Sequence, residues 1–364
     1  MVNDLDDLLA WLRSGRPVPR RVDFRTGTAM PDGRLDLCKQ SLGPYGAALV
    51  AGALPPYGPV RHLLMGTDGL GDDGAATAAA GAVASGAETL YLGCNEITAG
   101  GACRIADRLL ASPGVVRGLW LKRNPLGPAG ARIGADLVPA GLTTLDLVQT
   151  GLTAGGLSAL VDGVLAAGGI GRLFVSGNPL GPAGAAGLAR LVAADGVDEL
   201  YASANGLGDD GALLIASALR PGGRLRRLSL ASDGMGPAGV LALIRAAVAS
   251  GVEVLDLGRV RAAAVLAAPD NRLDDATAAE AADALAAHPH RLAHLDLTHT
   301  ATTSRAALHL LGGLRRAPSP TRVRLGRGIA FRVKRDLAEA AAAVPPLTPH
   351  PEVAAVKSVH RTGR

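Results

Sequence analysis

The feature that most restricts what this chain can fold into is its own recurrence. The phrase LWLKRNPLGPAG, Leu119 to Gly130, returns 54 residues later as LFVSGNPLGPAG, Leu173 to Gly184. Aligned on the second apolar residue of each L-x-L, the anchors are Leu37, Met65, Leu92, Leu121, Leu147, Val175, Ala202, Leu230, Leu257, Leu297 and Leu325. Successive anchors lie 26 to 29 residues apart, apart from one step of 40. A chain with this period is a stack of like units, none of which buries its apolar face alone. The long step holds an insertion at 258–270, after which the pattern resumes at Asn271-Arg272-Leu273.

Within a unit, five residues past most anchors stands an apolar residue followed by Gly or Thr, as at Leu126-Gly127 and Leu152-Thr153, and three residues further another Gly. Pro, Asp or Ala between them suits a turn that opens a helix, and Ala-rich segments such as Gly184–Ala194 then carry Leu and Val at helical spacing. Each unit therefore reads as strand, turn, helix and return. Asn95, Asn124, Asn178 and Asn205 share one position of the unit, with Gln40, Asp68, Thr150, Asp233 and Thr300 in its other copies. A buried amide there can donate to and accept from backbone groups that the tight turn leaves unpaired, a structural role rather than a ligand-binding one.

The pattern L-x-x-L-x-L-x-x-N-x-L-G-x-x-G, which runs from Arg34 to Gly328, resembles the ribonuclease-inhibitor-like class of leucine-rich repeats, here in a composition of bacterial type. The resemblance implies an α/β leucine-rich repeat solenoid, a horseshoe with parallel strands on the concave face and helices on the convex face. Packing physics points the same way, because strands sit about 4.8 Å apart while helices need roughly 10 Å, so the stack bends toward its strands. The domain reading is a capping helix and extended segment at 1–33, an array of ten to eleven units at 34–328 and a C-terminal cap and tail at 329–364. Leu5, Leu8, Leu9 and Leu12 form one apolar helix face that can close the first unit; Asp336–Val344 reads as the last helix, and Leu347–Arg364 as a docked strand or a disordered tail.

The middle residue of each L-x-L points to the concave face. That column is Asp36, Leu64, Tyr91, Trp120, Asp146, Phe174, Tyr201, Ser229, Asp256, Asp296 and Arg324, and it holds four of the nine aromatic residues in a chain that is only 2% aromatic. A solvent-facing stripe of Tyr91, Trp120, Phe174 and Tyr201, flanked by Lys122, Arg123 and Arg172, suits a protein or peptide partner, because rigid aromatic rings give contact area at low entropy cost. A second candidate is the cluster of Asp256, Asp296, His294 and His299, beside the insertion, where paired carboxylates on neighbouring strands could share a proton or a metal. The simpler account of that cluster is a solvated acidic patch, since L-D-L also spells Leu35–Leu37 and Leu145–Leu147.

Other signals narrow the classes. The chain contains no G-x-x-x-x-G-K-[ST], G-x-S-x-G or H-E-x-x-H, so no cofactor is implied and enzymatic signals reduce to that one cluster. The net charge of +5 is carried almost wholly by arginine. The basic run Arg315, Arg316, Arg322, Arg324, Arg327, Arg332 and Arg335 has no aromatic platform beside it, which argues for a solvated cap over a nucleic-acid site. The same basic surface and a turn ladder without cysteine argue against inhibition of a ribonuclease, and the C-terminal end lacks the acidic region that activation of the Ran GTPase would imply. Three cysteines, an odd number without a C-x-x-C pair, an acidic N-terminus and no long apolar run fit a cytoplasmic protein outside the membrane. The expected activity is therefore a non-catalytic binding scaffold, with the acid/base or metal cluster as the alternative.

Overall fold

The computed structural model describes residues 4–359, so the extreme ends of the cap and tail, 1–3 and 360–364, lie outside the described residues. It comprises two compact units, Met1–Leu152 with Pro349–Arg364, and Thr153–Thr348. Among the described residues no helix is long and apolar enough to cross a membrane.

The first unit begins with α1 (Asp6–Ser14), whose Leu8, Leu9 and Leu12 are buried as their spacing predicts. Two short antiparallel strands follow, β1 (Val22–Asp23) and β2 (Thr28–Ala29), and β2 pairs with the first repeat strand, β3 (Arg34–Asp36). Then come α2 (Gly43–Ala53), β4 (His62–Leu64), α3 (Gly71–Ser85), β5 (Thr89–Tyr91), α4 (Ala99–Leu110), β6 (Gly118–Trp120), α5 (Gly130–Leu137) and β7 (Thr144–Asp146). Strands β3 to β7 are parallel and in register, with Leu35, Leu63, Leu90, Leu119 and Leu145 in one fully buried row. Fully burying one such leucine contributes roughly 2 kcal/mol.

The second unit runs α6 (Ala154–Ala166), β8 (Ile170–Phe174), α7 (Gly181–Ala193), β9 (Val197–Tyr201), α8 (Gly208–Ala218), β10 (Arg227–Ser229), α9 (Pro237–Ala249), β11 (Val254–Asp256), α10 (Asp275–Ala287), β12 (His294–Leu297), α11 (Ser304–Arg316), β13 (Arg322–Leu325) and α12 (Phe331–Ala340). Its strands form a parallel sheet with a like buried row, Leu173, Leu200, Leu228, Leu255 and Leu295, closed by Val323. The last helix starts earlier than the alanine run of Asp336–Val344 suggests, because Val333 and Leu337, one turn apart, are the residues that bury it.

The repeated L-G-P-A-G has a local cause. Gly127 and Gly181 take φ of +61° and +58°, a left-handed turn that favours glycine, and their N–H groups donate to the carbonyls of Thr150 and Asn205. A Cβ on the second glycine, Gly130 or Gly184, would stand 2.8 or 2.5 Å from the Cβ of Leu126 or Leu180, so the helix packs onto that leucine only without a side chain. Where Thr replaces the first glycine, as at Thr98 and Thr153, its hydroxyl caps the helix instead.

The asparagine ladder is the deeper regularity. Asn124 donates through Nδ2 to the carbonyls of Leu92 and Leu121 at 3.0 and 2.8 Å, and its Oδ1 accepts from the N–H groups of Asn95 and Ile97. In the second unit the insertion is absorbed ahead of the same position: Asn271 bonds the carbonyls of Leu230 and Leu257, so β11 and β12 still pair directly. We predict that Asn124→Ala, which removes one hydrogen bond from each of four backbone groups, lowers stability by roughly 2–4 kcal/mol in urea denaturation.

Asp68 and Asp233 occupy this ladder as carboxyls, each with one buried oxygen that has no hydrogen-bond partner, and burial pushes both up to about 7. A carboxyl whose pKa is higher folded than unfolded leaves stability intact below about pH 4 and erodes it as pH rises toward 7. Asp68→Asn and Asp233→Asn, which restore the amide, are therefore expected to raise the unfolding free energy in urea denaturation near pH 8, by an amount on the order of 2–4 kcal/mol per site, and to give little near pH 4. Equal effects at both pH values would refute the carboxyl as the cause.

Candidate functional site

Each unit presents one wall of strand residues opposite its helices. In the first unit the register aligns Asp36, Leu64, Tyr91, Trp120 and Asp146, as the L-x-L column requires. Exposure differs from the expectation: Trp120 is 2% exposed, and Asp36, Leu64 and Asp146 are buried too, while Tyr91 is half-buried. The rings lie flat against the sheet where glycine makes room. A Cβ on Gly118 would meet the Trp120 ring at 2.3 Å, and one on Gly66 would meet the Tyr91 ring at the same distance. The Lys122 ammonium stands 5.2 Å over the Tyr91 ring, Arg123 donates to Gln149 Oε1, and Asp146 is pushed up to about 6 by burial, opposed by the charges of Lys122 and Arg123.

What lies against this wall comes from the far end of the chain. A short helix, α13 (Pro351–Ala355), and residues 357–359 after it dock on the first unit, in place of the strand or disordered tail expected there. The Thr144 hydroxyl at the start of β7 donates to Glu352 at 2.5 Å, Arg34 on β3 donates to the Lys357 carbonyl at 2.6 Å, and Ser358 Oγ donates to Asp36 at 2.8 Å.

In the second unit the aligned column is Phe174, Tyr201, Ser229, Asp256, Asp296 and Arg324. Phe174 and Tyr201 stack with centroids 4.1 Å apart and planes within 8° of parallel, and both are half-buried. The Tyr201 hydroxyl donates to Glu199 at 2.7 Å and accepts from Arg227 at 2.8 Å. Arg172, in register with Glu199, is buried. Beside this pair opens a cavity of about 290 Å³ whose walls include Tyr201, Arg227, Ser229, Asp256, His294, Asp296, Arg322, Arg324 and Leu347.

Three members of the predicted acid cluster, Asp256, Asp296 and His294, border that cavity, and His299 does not: it sits exposed in the turn beyond β12. Asp256 is raised chiefly by burial and also by the neighbouring Asp296 charge, and it accepts from Ser229 Oγ at 2.9 Å. Asp296 pairs with Arg324 at 2.9 Å. His294 is held toward its neutral form by burial and by the charges of Arg322 and Arg227. Among the described residues no three His, Cys, Asp or Glu side chains come together so as to hold a metal ion. The three cysteines are free, with Cys38 buried.

Glu199 and Arg227 escaped the reading of the sequence, and Arg322 entered it only as part of the basic cap, because the row two positions before the L-x-L column was drawn on only at Arg172 and His294. Strand alternation places the residue two positions earlier on the same wall, which yields Arg34, His62, Thr89, Gly118 and Thr144 in the first unit.

No protein-family model matches the sequence, and none of the curated proteins does. Among solved structures, the crystal structure of the Rad7 and Elc1 complex in yeast aligns with 82% of this chain and 70% of its own, at 15% identity and a TM-score of 0.54. The leucine-rich repeat-containing protein LegL7 from Legionella pneumophila aligns over 85% of this chain and 91% of its own, at 13% identity and a TM-score of 0.44. At such identity the Rad7–Elc1 likeness is one of fold. With strand, ladder turn and helix recurring in every repeat, the chain has the fold of a leucine-rich repeat solenoid.

Proposed function

We propose that this chain is a non-catalytic scaffold of the ribonuclease-inhibitor-like kind of repeat, which binds a protein or peptide in the cytoplasm through the strand wall of its second unit. The observation that carries the reading is the stacked Phe174–Tyr201 pair at the edge of the 290 Å³ cavity. The pair offers a rigid apolar platform, already ordered by the Glu199 and Arg227 hydrogen bonds to the Tyr201 hydroxyl, so a partner pays little entropy to use it. Next to it, Arg227 and Asp256 supply groups of opposite sign that orient a polar segment. Lys122, Arg123, Tyr91 and Trp120 belong to the other wall, and the reading does not require them to be accessible. Fold analogy agrees, since the Rad7–Elc1 structure is a complex of proteins.

The test is affinity recovery from the source cell with wild type, Tyr201→Ala and Leu213→Ser, the last altering a leucine 49% exposed on α8. Tyr201→Ala is expected to cut recovered partner roughly tenfold or more, as loss of a central aromatic anchor does, with Leu213→Ser unchanged. Equal recovery with all three proteins, or loss confined to Leu213→Ser, would overturn the assignment to this wall.

A further inference from the structure

We propose that the strand wall of the first unit is a peptide-docking groove, and that the chain's own C-terminal segment occupies it as a displaceable ligand. The partner it excludes is a short helical peptide with an acidic residue in its first turn and an extended, hydroxyl-bearing end. The proposal extends the scaffold reading to the other wall.

The anchors of the segment fall at the two ends of the wall. Glu352 receives the hydroxyls of Thr143 and Thr144 at β7, while Lys357, Ser358 and Val359 bond Arg34 and Asp36 at β3. Arg34 and Thr144 lie in one register row four strands apart, about 19 Å at the usual strand spacing. A contiguous segment held at both ends of that row passes over β4, β5 and β6. Along its path Leu64 and Trp120 are 0% and 2% exposed, Tyr91 between them is half-buried, and Ala355 of the segment is itself 6% exposed. In the same column of the second unit Ser229 is buried, while Phe174, Tyr201, Asp256 and Asp296 keep partial exposure.

The segment has the properties of a bound peptide. Helix α13 is five residues long, far too short to hold together in water, so its order comes from the wall. Two of its anchors, the Lys357 carbonyl and the Val359 N–H, are main-chain groups that any peptide carries. Sequence specificity then rests on Glu352 and Ser358. A tether raises the local concentration of the segment to the millimolar range, so closure at equilibrium requires an intrinsic dissociation constant below about 0.1 mM.

The test uses the full chain with Trp11→Phe, which leaves Trp120 as the one indole. Glu352→Lys with Ser358→Glu sets a cation against the threonine pair and a carboxylate against Asp36. In the Trp11→Phe parent, Trp120 is expected to resist acrylamide quenching and a labelled synthetic peptide of residues 349–364 to show no binding. In the doubly substituted chain, Trp120 is expected to lose its shielding and the wild-type peptide to bind below about 0.1 mM and restore it. A peptide carrying the same two substitutions should not bind. If the substituted chain stays folded by circular dichroism with Trp120 still shielded, or binds neither peptide, the groove assignment falls; if it unfolds, the segment is a structural part of the unit and displaceability falls. No outside partner enters this measurement, so its outcome is separate from that of the affinity recovery on the second wall.

Discussion

Every repeat must turn its chain from strand to helix within a few residues, and each such turn strands backbone N–H and C=O groups inside the stack. The ladder side chain satisfies them across two repeats at once: Asn95 donates to the carbonyls of Met65 and Leu92 and accepts from the N–H of Asp68. An unmade hydrogen bond of this kind costs 1–3 kcal/mol in the interior, roughly as much as burial of one core leucine contributes. The turn is thus held as firmly as the core, and the repeats stay in register because each ladder group belongs to its neighbour as much as to itself. The insertion shows how strict this is. It enters after β11, yet Asn271 returns the chain to the ladder position before α10 begins.

Strand register, the ladder and the capping face of α1 were legible in the sequence because each is set by residues within one repeat period. The direction of Tyr91, Trp120, Phe174 and Tyr201 was legible for the same reason, being fixed by the alternation of a strand around a buried leucine. The burial of Trp120 was not: its ring folds back over Gly118, and the same wall carries a segment more than two hundred residues away in sequence, docked through contacts such as Thr144–Glu352. Nor does the text of that segment announce a helix: Pro351 and a His350 cap start it, but five residues give no periodicity to read. The acid cluster was half legible. Period two brings Asp256, Asp296 and His294 to one wall, whereas His299 follows the end of its strand, where alternation no longer governs direction.

The glycines of the wall carry a consequence for recognition. Gly66, Gly93 and Gly118 let the Tyr91 and Trp120 rings lie along the sheet instead of standing off it. A ring in that position shows an occupant its face, and it loses little freedom when covered. The second wall holds the Tyr201 ring by stacking on Phe174 and by hydrogen bonds at the hydroxyl. The two walls therefore reach preorganised aromatic surfaces by different means, one through missing side chains and one through a polar clamp.

Charge bears on the walls less than the net +5 suggests. Many arginines pair laterally with an acid about one repeat away, as in Arg61–Glu88, Arg190–Asp162, Arg224–Asp198, Arg291–Glu253 and Arg316–Asp283. Exposed pairs of this kind contribute at most about 1 kcal/mol each, but they cancel the far field of the charges they join. Within the C-terminal basic run, Arg315, Arg324 and Arg335 pair with Asp336 or Asp296, and Arg322 is spent on the carbonyls of Ala341 and Val344. At short range the proposed partner would meet instead the local arrangement in the cavity of the second unit, where Arg227 is tied to a tyrosine hydroxyl and Asp256 is raised by burial beside a second carboxylate. On that proposal, selectivity would follow from which of these groups a bound segment can pair without leaving another unpaired, and that is decided by placement on the wall rather than by the sum of charges in the chain.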